Sequence, residues 1–256
     1  MTHKELKQLL DHYHRTYNNP SFIQSDPISI PHRFDGLQDK EISGLFAALF
    51  AWGQRITIIH KTEELMKLMD WCPHQFILHH NSNELHALKK FKHRTFNTED
   101  LMYFLRFLQY YYRQAESLEE LFIVDKKEDN IGKGIANFHN VFFSLDDAPM
   151  RTKKHVSTPS KNSACKRLCM YLRWMVRKDD KGVDLGIWKN IPMRQLICPL
   201  DVHVHRVALE LGLIHSNKAN WDTAVALTEQ LKKFDASDPV KYDFALFSLG
   251  MQHGKL

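Results

Sequence analysis

Residues 39–54, DKEISGLFAALFAWGQ, restrict the architecture more than any other stretch of the chain. Ile42, Leu45, Phe46, Leu49 and Phe50 recur at spacings of three and four, the period of one helical face. Alanines between them widen that face until the helix is apolar around most of its girth. A helix of this kind cannot lie on a surface and has to be enclosed by other elements. Asp39 is placed to cap it, and Gly53 to end or bend it before a second helix begins.

The enclosing elements read as amphipathic helices. They are expected over 4–17, in two or three pieces over 84–124, and over 131–145, 164–178, 200–211, 218–234 and 238–253, the last opening on the cap-like Asp238-Pro239. Only 10 glycines and 9 prolines punctuate 256 residues, which favours helices over a turn-rich β architecture. The expected fold class is all-α. One two-lobed unit is expected over 1–256, with lobe A about 39–150 and lobe B about 151–237. Residues 1–38 and the closing helix 238–253 would pack back onto them. The N-terminus has no secretory pattern, and no apolar run approaches the roughly 20 residues that span a bilayer, so a soluble, cytoplasmic monomer is expected, with no membrane partner. The four cysteines are too few and scattered for a disulfide framework, and Cys165 and Cys169, one turn apart, read as buried reduced thiols.

Net charge is a modest +5, yet residues 151–178 carry nine basic side chains and no acidic one. Such a segment attracts a polyanion; the plainer reading is a solvated basic face. In the helix over 164–178 the stripe Cys165, Leu168, Cys169, Leu172, Met175 and Val176 faces inward, which leaves Lys166, Arg173 and Arg177 to meet phosphates. The run Tyr110, Tyr111, Tyr112 could stack on bases, but aromatics at helical spacing belong more often to a core.

The segment 197–216, ICPLDVHVHRVALELGLIHS, starts a helix at Asp201, directly after Pro199 and Leu200, and buries Leu200, Val204, Val207, Ala208 and Leu211. Asp201 is either a plain helix cap or a placed carboxylate. His203 and His205 suggest an Asp-x-His-x-His metal site, but side chains two apart on a helix diverge. No metal and no cofactor is expected. Walker, GxGxxG, GxSxG and HExxH patterns are absent.

LDVHVHRVALELGL resembles a segment of the helix-hairpin-helix DNA glycosylases of the endonuclease III type, which reads roughly V-D-T-H-x-x-R-V. Asp201, His203, Arg206 and Val207 match it in type and spacing. EISGLFAALFAWGQR is similar to that family's early helix and places Gln54 where a glutamine enters the duplex. DFALFSLGMQHG is similar to the closing helix, with Gly250 at the matching glycine. TPSKNSACKRL occupies the hairpin, with Thr158 and Ser160 in place of its glycines. The usual lysine position falls on Asn162, Lys161 precedes it, and Lys166 follows one turn later. Residues 177–196 form an insertion of the kind found in archaeal 8-oxoguanine glycosylases, and more narrowly the chain resembles a bacterial family of unknown function similar to those enzymes.

The resemblance implies excision of a damaged base, an oxidised purine among the candidates, by cleavage of its N-glycosidic bond, with strand lyase activity if a lysine attacks. Asp201 would be the catalytic carboxylate, because charge builds on the sugar and a fixed anion near C1′ stabilises it. Lys161 or Lys166 would be the nucleophile. Duplex DNA with a flipped or damaged base is the implied partner. The implied contacts are Gln54, Arg55, Lys153, Lys154, Ser160, Asn162, Ser163, Arg167, Arg173, Arg177, His203, His205 and Arg206. No iron-sulfur cluster is implied, since the family's cysteine cluster has no counterpart. The alternatives are a non-catalytic nucleic-acid-binding module, and a metal-dependent hydrolase using Asp201, His203 and His205.

Overall fold

A computed structural model describes residues 1–253; residues 254–256 of the expected unit lie outside the described residues. The described chain is all-helical, with two isolated bridges, His93 to Phe96 and Ser163 to Asn220, and no strand. No helix in it is long and apolar enough to cross a membrane.

The helices in chain order are α1 His3–Tyr17, α2 Ser21–Gln24, α3 Leu37–Leu49, α4 Arg55–Leu68, α5 Pro73–His79 and α6 Ser82–Leu88, followed by α7 Thr98–Tyr112, α8 Gly132–Phe142, α9 Lys166–Val176, α10 Val202–Glu210, α11 Trp221–Lys232 and α12 Asp243–His253. As its composition demands, α3 is enclosed: every residue from Glu41 to Leu49 is buried, and α4, α5 and α9 pack on it. It begins two residues before Asp39. Gly36 is its cap, and the Asp39 carboxylate instead accepts from the His74 amide at 2.9 Å, joining α3 to the start of α5. Tyr111 and Tyr112 are core residues of α7, and Tyr110 alone of the three is exposed.

Glu41 is the polar node of the core. Its carboxylate, fully buried, accepts from Tyr112 Oη at 2.8 Å, Ser117 Oγ, the Leu118 amide at 3.0 Å and Trp188 Nε1 at 2.6 Å. Burial raises its pKa despite these four donors.

The second polar layer corrects the sequence expectation. Arg173 and Arg177, assigned to a phosphate-facing side of α9, are buried at 5% and 1% relative exposure. Arg173 pairs with Asp184 at 3.1 Å and with Asp243. Arg177 pairs with Asp184 and Asp238 at 3.0 Å each and with Asp179 at 2.8 Å. α9 is covered on both sides, so a charge on its second face can stay buried only with carboxylates around it. Burial works against both charges, but the carboxylates outweigh it and raise both pKa values. Asp238, expected as a helix cap, makes no capping bond and serves Arg177 instead. The same layer docks the chain's ends, since Asn18 after α1 donates to Asp179 at 2.6 Å and α1 packs along α12.

Replacing Arg177 by Met leaves the buried Asp184 and Asp238 and the half-buried Asp179 short of a partner and should cost about 3–5 kcal/mol, read as a lower denaturant midpoint at unchanged m-value. Acid should act through His14, beside Arg177, and His155, against Asp100. Burial lowers both to about 4. Their stabilisation is complete above the unfolded-state value near 6.5 and is lost as pH falls from there through about 4. Urea midpoints should therefore drop between pH 7.5 and 5, and by less in the H14Q/H155Q variant.

Candidate active site

Asp201 caps α10. Its Oδ1 accepts from the His203 and Val204 amides, both at 2.9 Å, so the bond that starts the helix also fixes the carboxylate. Among the described residues nothing donates a hydrogen bond to Oδ2. Lys166 is the first residue of α9, after Cys165 in a left-handed conformation (φ +49°). The residue keeps partial access to solvent, but its amine is densely surrounded by protein. Burial lowers its pKa, against the pull of Asp201, Asp243 and Asp26. Among the described residues the amine's one hydrogen bond, to the Ala51 carbonyl, is long at 3.5 Å.

Two spaces meet at this pair. Behind it lies a small cavity of about 50 Å³ walled by Phe22, Met170, Trp174, Phe244 and Phe247, with Asp26, Arg173 and Asp243 as its other polar lining. That volume holds a few waters and no nucleobase. In front lies an open cleft of about 810 Å³ whose lining includes Trp52, Thr95, Lys154, Ser163, Arg167 and His203. Lys166 and Asp201 are the two residues that line both. Burial raises Asp243 to about 6, although the Arg173 guanidinium beside it works in the other direction.

The C-terminal end of α3 organises the cleft. Leu49, Phe50 and Ala51 present carbonyls at the negative end of the helix dipole. Arg167 donates to the first at 2.8 Å, His93 Nε2 to the second at 3.1 Å and Lys166 to the third. Arg167 also donates to the Lys154 carbonyl at 3.0 Å and forms no pair with a carboxylate among the described residues. Burial lowers its pKa.

The remaining sequence candidates divide. Lys154 and Ser163 reach the cleft. Gln54 is exposed at the start of α4, next to cleft-lining Gly53, but does not itself line the cleft. Lys161 and Ser160 are exposed in the connection between α8 and α9 and do not line the cleft. Asn162, left-handed at φ +53°, exchanges side-chain bonds with Asp222 at the start of α11 and is structural. Lys153 lies over the Phe143 ring. Arg55 points to the cavity side, 4.5 Å over Phe247 and 3.8 Å from Asp26. His205 was expected near Asp201, but its Nε2 donates to the Ser216 carbonyl at 2.8 Å, and the residue lines neither space. Arg206 donates to the Gly250 carbonyl at 2.9 Å, tying α10 to α12. Among the described residues no three His, Cys, Asp or Glu side chains converge as a metal site would need. Cys165 and Cys169 are free, buried thiols, and burial pushes Cys165 to about 11.

The family described as "Protein of unknown function (DUF2400)" matches residues 26–252. The chain belongs to this family. Neither a curated protein nor a solved structure matches it. The DUF2400 match begins at Asp26 and contains every cavity-lining residue except Phe22.

Sequence reasoning missed three parts of the site. Asp26 and Asp243 carry no local signal, because packing alone brings them to Lys166. The run KKFKHR at 89–94, four Lys or Arg in six residues beside the cleft, was visible as a charge run and was read only as part of a helical stretch.

Gly250 shows how closely the site is built. A Cβ there would stand 2.9 Å from His203 Cβ and 3.3 Å from the His203 carbonyl, so α12 can approach α10 only through a glycine. Gly250→Ala should push the two helices apart and cost about 1–3 kcal/mol, measured by thermal or urea unfolding.

Proposed function

We propose that the protein binds duplex DNA along the cleft and excises a damaged base by cutting its N-glycosidic bond, with Lys166 as nucleophile and Asp201 as the catalytic carboxylate. One observation carries the reading: the lysine whose amine is driven toward its neutral form and the carboxylate fixed at a helix start are the two residues shared by the cavity and the basic cleft. The sequence resemblance to helix-hairpin-helix DNA glycosylases, which left Lys161 and Lys166 both open, supports the same reaction, and the cleft lining favours Lys166 over Lys161.

The chemistry follows from the two groups. As the C1′–N bond breaks, its electron pair leaves with the base, which takes up a proton, and positive charge develops on the sugar beside the Asp201 carboxylate. The neutral Lys166 amine adds to C1′, and the carboxylate takes the proton that the new ammonium sheds. Opening of the sugar ring then gives an imine, which permits β-elimination of the 3′ phosphate. The weak bond to Ala51 leaves the amine free to move. The cavity is too small for a base as it stands, so the flipped nucleotide occupies the cleft mouth, or Met170 and Phe247 turn aside for it.

Borohydride trapping on duplexes carrying 8-oxoguanine, uracil, an alkylated purine or an abasic site tests this reading. Wild-type protein and the Lys161→Gln variant should form a covalent adduct, and Lys166→Gln should form none while binding DNA within a few-fold. The trapping rate should rise with pH and level off below the ordinary lysine value of about 10.4, because the neutral amine is the reactant. Asp201→Asn keeps the capping geometry and should stay within about 0.5 kcal/mol of wild type while losing at least about 100-fold in base release. An adduct that survives Lys166→Gln overturns the nucleophile. DNA binding with neither release nor adduct overturns catalysis and favours the non-catalytic module.

A further inference from the structure

Beside the cleft, the segment between α6 and α7 has a construction that excision chemistry does not use. Phe91, His93 and Phe96 are buried at 1%, 5% and 3%, while Lys89, Lys90, Lys92 and Arg94 are exposed. The buried three are fixed to the end of α3: the Phe91, His93 and Phe96 rings all pack on the Phe50 ring, and His93 Nε2 donates to the Phe50 carbonyl. Reciprocal backbone bonds of 2.9 Å between His93 and Phe96 close a tight turn with Arg94 at its tip in a left-handed conformation (φ +53°). The Arg94 guanidinium lies 5.0 Å over the ring of Trp52, which is 49% exposed, and Trp52, Gly53 and Thr95 all line the cleft. Arg151 holds the turn from behind through the Thr95 carbonyl at 3.1 Å.

Four cations in six residues form no ion pair among the described residues, although 30 acidic side chains are available in the chain. Their backbone is anchored by aromatics, so they are presented on a rigid mount. A fixed, unpaired cationic row with an exposed indole at its end matches a nucleic-acid strand: phosphates for the cations and the face of a base or sugar for the ring.

We infer that the 89–94 turn together with Trp52 is a second DNA contact, which holds the strand as it leaves the cleft and supplies much of the protein's electrostatic affinity. This rests on the cleft being a DNA site, as proposed above. It also stands in for Arg173 and Arg177, two expected phosphate contacts that are buried.

The test uses the 256-residue chain carrying Lys166→Gln, expected to bind without turnover, and a labelled 20-base-pair duplex with a central abasic site. Affinity is measured from 50 to 200 mM salt. Lys89→Gln, Lys90→Gln, Lys92→Gln and Arg94→Gln combined should reduce the slope of log affinity against log salt by about 2–4, near 0.9 per lost phosphate contact. Trp52→Ala should weaken binding by roughly 5- to 150-fold, with Trp52→Phe much closer to the parent. Unchanged melting temperatures show that these exposed substitutions leave the fold intact. Binding with an unchanged slope overturns this contact alone and leaves the cleft assignment standing. No binding at any salt overturns both.

Discussion

Two guanidinium groups buried on α9 and at its C-terminal cap hold the molecule together beside the candidate site. Arg173 and Arg177 are closed off from solvent by carboxylates drawn from three places: the loop after α9 (Asp179, Asp184), the turn before α12 (Asp238) and the first residue of α12 (Asp243). A single buried charge of this kind costs several kcal/mol unless it is fully partnered, so these segments have to converge on α9 or the helix cannot be covered. Once they do, α12 lies against α10 and α1 lies along α12. The network also reaches the chemistry, because Arg173 and Asp243 line the cavity behind Lys166. The charge around the lysine is thus set partly by groups whose first role is to let α9 be buried. Lys166 and Arg173 face Asp26, Asp201 and Asp243 in one small space, and burial raises Asp243 to about 6.

A second constraint acts from the other side of the cleft. The last carbonyls of a helix need partners, and those of α3 emerge where the enclosing helices leave a gap. Arg167, His93 and Lys166 answer them, one from each of three positions around the opening. The first brings the segment 154–167 to α3, and the second brings the 89–96 turn. The third is the weakest bond and belongs to the residue with a proposed chemical task. A lysine better held would be better ordered but less able to reach a sugar carbon. The central apolar helix therefore does more than fill the core: its polar end gathers both walls of the cleft.

The sequence made the general architecture readable because helical periodicity is a local property. The enclosed α3, the cap at Asp201 and the inward thiols Cys165 and Cys169 all followed from spacing within one turn or two, and the structure has them. What failed was everything that depends on a partner distant in sequence. α9 looked one-sided, so Arg173 and Arg177 were sent to solvent, when in fact Asp238 and Asp243 come from more than sixty residues away to cover them. Asp238 stands before a proline and has the local look of a cap, yet a buried guanidinium is the stronger claim on it. His205 followed the helix logic of one turn from Asp201 but is turned away by the Ser216 carbonyl. The 89–94 run escaped notice because Phe91 and Phe96 fit a helical stretch as well as they fit a pinned turn.

Structure and chemistry are not competing explanations for Asp201. The two amide bonds at 2.9 Å both fall on Oδ1, and they are the bonds that any capping aspartate makes. Their effect is to remove the side chain's rotational freedom and to set one oxygen against the helix while the other carries no hydrogen bond from the described residues. An ordinary surface cap would present that free oxygen to bulk water. Here the residue lies at the junction of the cavity and the cleft, beside a lysine whose charge is disfavoured by burial. A carboxylate that is fixed, half-satisfied and adjacent to an amine of lowered basicity is prepared to accept a proton or to face a developing cation without reorganising. The stability of the helix start and the reactivity proposed for the site rest on the same pair of bonds.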